Sequence, residues 1–136
     1  LSSAQSVGND TPTVAALATE KLDSDGTFDT STYRWTPGVA GYYFLLGQCL
    51  FAGVDAGERI YYNFAINNST QNHDNLYHGM TDWAYNANSS MHDALTAVVY
   101  LGATDYVDFR LAQSSGDSQD ASVTWTYMAG WRISGV

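Results

Sequence analysis

"GTFDTSTYRWTPGVAGYYFLLGQCLF", residues 26–51, decides the fold, because its second half is apolar at nearly every position. A strand with one face in a core and the other in water alternates apolar and polar residues. Here Tyr43, Leu45, Cys49 and Phe51 form one apolar set, and Tyr42, Phe44, Leu46 and Leu50 form a second on the opposite face. The second set needs a cover. Val98 and Tyr100, alternating with Val99 and Leu101, repeat the pattern in a later strand. Association of copies through one sheet face is the simplest account of two such strands.

Working outward, period-two alternation recurs along most of the 136 residues, and apolar residues at helical spacing are almost absent. The chain is all-β. Strands are expected over 11–22, through Tyr33 and Trp35, and over 41–52, 59–66, 94–101 and 106–112. In 123–133, Val123, Trp125, Tyr127, Ala129, Trp131 and Ile133 alternate with small or polar residues, which predicts a well-buried terminal strand. Polar stretches at 67–78 and 86–93 read as loops, the segments that carry function most often. Seven to nine short strands make a sandwich, and the immunoglobulin arrangement lacks its Cys, Trp, Cys spacing, so a jelly roll leads.

Composition narrows the function. One cysteine, Cys49, excludes an intrachain disulfide, and its place in an apolar run reads as a small buried hydrophobe rather than a reactive thiol. A net charge of −9 repels nucleic acid and anionic membrane, and neither is expected as a partner. No apolar run approaches the ~18 residues that span a bilayer. Leu1 opens the chain without a signal-peptide pattern, so residues 1–10 read as a connector to an upstream region and 11–136 as the domain.

No catalytic constellation stands out, and no enzyme activity is expected: there is neither a G-x-S-x-G elbow nor an H-E-x-x-H pair. His73, His78 and His92 lie in or beside polar loops and read as solvated rather than as zinc ligands. Asp23, Asp25 and Asp29 fit an Asx turn better than a calcium loop. Asn67, Asn68 and Asn88 each head an N-x-S/T sequon. Tyr77, His78, Trp83 and Tyr85, with His73 and Asp74, have the composition of a glycan or receptor site, but the period-two spacing of Trp83 and Tyr85 fits a core face and is the preferred reading of those two.

In order along the chain, Phe28 and Asp29, Tyr33 and Trp35, Pro37, then Gly41, Tyr43 and Leu45 resemble the C1q and tumour necrosis factor-like domain family. Leu101, Gly102, Asp105 and Val107 match its "L-x-x-G-D-x-V" turn with two residues inserted between Gly and Asp, and Met128–Ile133 stands in place of its final strand. Leu45 replaces a phenylalanine of the family pattern, and the polar loop at 67–78 is long. The resemblance covers roughly 11–134. It implies a ten-strand jelly roll and a homotrimer with Tyr42, Phe44, Leu46, Leu50, Val98 and Tyr100 at or near the threefold axis. It implies no organic cofactor, though family members often carry calcium near the trimer apex. If the fold holds, the loop at 67–78 and the turn at 102–105 share an end, away from the termini.

The start of the chain is similar to C1q-like heads of bacteriophage virion proteins. This implies a fibre head or capsid-decorating knob on the virion surface, with other virion proteins and a bacterial surface glycan as partners. The alternatives are a carbohydrate-binding module of a secreted enzyme and a secreted C1q-like recognition protein.

Overall fold

The structure, a computed structural model, describes residues 1–69 and 79–134. The strands are β1 (Gln5–Val7), β2 (Thr13–Val14), β3 (Phe28–Asp29), β4 (Arg34–Trp35), β5 (Gly41–Val54), β6 (Arg59–Ile66), β7 (Gly79–Trp83), β8 (Ser89–Leu101), β9 (Val107–Gln113), β10 (Gln119–Ala121) and β11 (Tyr127–Ser134). They form two antiparallel sheets. In one, β8 pairs with one edge of β5, while β11 and then β10 pair with the other, and β1 extends β10. In the other, β3, β4, β9, β6 and β7 follow in that order, and β2 also pairs with β9.

The sheets pack face to face. Tyr43, Leu45, Cys49, Phe51, Val99 and Leu101 from the first meet Ile60, Tyr62, Phe64, Val107, Phe109 and Leu111 from the second. Phe51, Tyr62, Phe109 and Phe64 run through the centre with successive ring centroids 6.3, 6.1 and 5.5 Å apart. Gly47 falls in the inward row of β5 because the Phe109 ring fills its place; a Cβ there would lie 2.5 Å from that ring. Glycine is thus required by packing.

Four expectations are corrected. The first strand shrinks from 11–22 to Thr13–Val14, and the supposed connector supplies β1, with Val7 fully buried. The other two concern the last strand and the loop ends. β11 is not well buried: its aromatic set faces out, while Met128 packs on the core and Gly130 lies against Trp35 and Leu45. Register with β5 forces this, since Gly130 opposes Leu45 on the inward row and Trp131 opposes Phe44 on the outward one. The loop entry at Asn67 and the turn at 102–105 do share an end, but Ser134 opposes Tyr42 at that same end, where Gly41 opposes Leu101. That end therefore contains residue 134 rather than lying away from it.

Candidate functional site

Two surfaces stand out, and each follows from register. On the outer face of the first sheet, Trp131, Phe44 and Val98 form one row across β11, β5 and β8. The Phe44 and Trp131 rings stack at 4.6 Å, and Tyr42 meets Tyr100 edge-on at 5.5 Å. Tyr42, Val98 and Tyr100 are exposed, whereas Phe44, Leu46 and Leu50 are half-buried by these neighbours. Trp125, Tyr127 and Ile133 add to the same exposed apolar set.

Within that face lies a polar chain. The Tyr127 hydroxyl donates to Gln48 Oε1 at 2.8 Å, which leaves the Gln48 amide nitrogen to donate to His92 Nε2. His92 is therefore not a loop histidine: it sits in β8 opposite Leu50, and its ring meets Trp125 edge-on at 5.2 Å. On the inward side of β5, Cys49 is buried, and burial pushes its thiol up to about 12. It is inert.

The second surface is at the end of the sandwich farthest from residue 134. The 54–58 turn, the 84–88 segment and the 114–118 loop meet there: Asn88 N–H donates to Asp55 Oδ1, and Ala84 exchanges backbone hydrogen bonds with Gly57 and Glu58. Those bonds continue the β6–β7 ladder, so alternation puts Ala84 in the core and Trp83 outside, directly opposite Arg59. Trp83 is 48% exposed and Tyr85 87%, so neither turns inward. Arg59 lies between rings, 4.9 Å from Trp83 and 5.0 Å from Tyr61, and its Nε donates to Ser114 Oγ at 3.4 Å.

His73, Asp74, Tyr77 and His78 lie outside the described residues. Of the candidate set the structure describes Trp83 and Tyr85, beside Arg59, the residue at the end of β6 opposite Ile66. Asn67 and Asn68 have positive φ of 52° and 54° and are engaged by side chain. Asn67 bonds Asp105 and Tyr106 N–H, and Asn68 accepts from Arg110, itself paired with buried Asp108 at 2.6 Å. The first two sequon asparagines thus act as clasps.

Asp23 accepts from Phe28 N–H at 2.7 Å and also from the Asp25 N–H and Thr27, while Asp29 accepts from Ser31 and Thr32, which hold its pKa at about 2. These are turns closed on themselves. Among the described residues no group of three or more His, Cys, Asp or Glu side chains could hold a metal. Asp93 on β8 is pushed up from the ordinary carboxylate value by burial first, then by a hydrogen bond with Asp82 of β7 and that group's charge. This carboxyl pair ties the two sheets. A groove of ≈ 1330 Å³ runs between β11 and the 17–25 segment, floored by Leu17, Phe28, Trp35, Tyr43 and Met128.

With this geometry in view, the fold finds its counterpart among solved structures. The chain superposes on the structure of Eiger TNF from S. frugiperda with a TM-score of 0.69 over 99% of this chain and 88% of that one, at 13% identity. The fold is a TNF/C1q-like jelly roll. No protein-family model and no curated protein matches the sequence.

Proposed function

We propose that this chain is the non-enzymatic head of a homotrimer, a knob displayed at a surface and serving adhesion or decoration. One observation carries it: the aromatic outer face of β8, β5 and β11, which a single chain leaves half in water. The TNF-like fold supports the threefold assembly, and the similarity of the first residues to phage heads favours a virion as the setting. A threefold ring is heterologous, so this face meets a different patch of the neighbouring copy.

The test is the solution mass by light scattering over a concentration series, with and without a chelator. A trimer is expected. A chelator-sensitive one would make a bound cation part of assembly. A monomer at all concentrations overturns the proposal and favours the carbohydrate-binding module instead.

A further inference from the structure

We propose that Trp83 and Tyr85, set on Arg59 and Tyr61, form a shelf that stacks a neutral saccharide. The inference deepens the adhesion reading above by naming its ligand class and site, and it does not depend on the number of copies assembled.

The shelf begins with strand alternation. Trp83 and Tyr85 are two residues apart on one extended segment, with Ala84 between them in the core, so both aromatic side chains leave on the same side. Trp83 is then fixed from behind. Its ring lies over the Arg59 guanidinium, which in turn lies over the nearly buried Tyr61 ring and is tethered to Ser114. A tryptophan held in this way gives up little rotamer freedom on binding, which is what preorganises a platform. Had its role been packing alone, the neighbouring Tyr85 would share the cover, yet it stands 87% exposed.

Ligand class follows from size and charge. Two aromatic side chains present far less than the ~800 Å² per partner of an ordinary protein interface. Nucleobases also stack on aromatic rings, but they come with phosphates, and this chain has a net charge of −9. A neutral pyranose brings an apolar C–H face for stacking and a hydroxyl edge for hydrogen bonds. Polar residues adjoin the shelf: Asn86 follows Tyr85 directly, and Glu58, bonded to Ala84 through its backbone, has a carboxylate that accepts from Asp55 N–H.

The experiment uses the whole chain with neutral hexose and N-acetylhexosamine oligosaccharides, first as an array and then titrated while the tryptophan indole N–H resonances are followed by NMR. The Trp83 resonance, assigned with Trp83→Phe, is expected to shift alone. Tyr85→Ala should weaken binding about tenfold or more, and because that residue is almost wholly exposed the variant keeps its fold. If no neutral oligosaccharide moves the Trp83 resonance, or if binding survives in Trp83→Ala/Tyr85→Ala of unchanged circular dichroism, the inference is overturned. Binding confined to acidic glycans overturns it equally. The solution mass, read on the same samples, reports the assembly reading separately.

Discussion

In the trimer proposed above, Trp131→Ala should disperse the assembly far more than it weakens the protomer. Trp131 is 51% exposed and stacks on Phe44 at 4.6 Å. The water-exposed half of a tryptophan amounts to about 100 Å², worth about 2.5 kcal/mol if assembly buries it fully. Three copies lose about 7.5 kcal/mol per trimer, or roughly five powers of ten in the dissociation constant. Because three monomers leave one trimer, the midpoint concentration moves with the square root of that constant, so it should rise by a few hundredfold on this estimate. The protomer itself loses mainly the ring stack, about 1 kcal/mol. Sedimentation over a dilution series of wild type, Trp131→Ala and Leu22→Ala reads this directly. Leu22 is equally apolar and 90% exposed but lies off the face, so its variant should dissociate like wild type. If Trp131→Ala keeps a midpoint within about tenfold of wild type while its circular dichroism is unchanged, the outer face does not carry assembly.

Gly47→Ala places a methyl 2.5 to 2.9 Å from three atoms of the buried Phe109 ring, and overpacking of this kind costs about 1–3 kcal/mol. Thermal unfolding should therefore fall by several degrees, and Phe109→Leu in the same chain should restore part of the loss; strict additivity of the two variants would refute the contact. Asp93→Asn tests the inter-sheet carboxyl pair. Since burial and Asp82 raise the folded pKa of Asp93, the folded state holds its proton more tightly than the unfolded chain does. That contribution to stability is present at acid pH and is lost as pH rises through the raised value. The asparagine variant should thus melt above wild type at about pH 7, with the gap closing toward about pH 4 and below. A variant that melts lower at neutral pH would mean the pair is a net support.

The long strands were legible where their inward rows are mostly apolar. β5, β6, β9 and the 94–101 half of β8 carry mostly apolar residues at every second place, and the structure keeps those rows in the core, whereas 89–93, read as loop, joins β8 with Asp93 in its inward row. Alternation gives a period but not a side, which is why β11 reads backwards from sequence. Its bulky residues look like a core row, yet they face out; the opposite row, with Met128 half-buried on the core and Gly130 against Trp35 and Leu45, faces the sandwich. The glycine was the signal. Trp83 and Tyr85 failed for a related reason: what turns them outward is Ala84, whose burial depends on a partner strand 25 residues away in sequence at Arg59 and Glu58. β1 could not be read at all, since three residues owe their strand to pairing with β10 near the other terminus.

Both surfaces expose aromatic residues, and area decides that they have different roles. On the outer face, Tyr42, Val98, Tyr100, Trp125, Tyr127, Trp131 and Ile133 leave about half of each side chain in water, together about 600 Å² of contiguous apolar surface. That is near the upper limit a monomer ordinarily exposes and close to one side of a standard interface. The hydrogen-bonded chain within it, Tyr127 to Gln48 to His92, already pairs part of its donors and acceptors, so a covering neighbour has to meet only the His92 Nδ1–H and the second Gln48 N–H. The Trp83–Tyr85 shelf offers somewhat under half of that area and is bordered by charged and amide side chains, a composition that resists burial against another protein. The shelf, at the end of the sandwich, is separate from that face. A ring of three such shelves would multiply a weak single-site affinity for sugar by multivalency, provided that the spacing of the ligand matches that of the shelves.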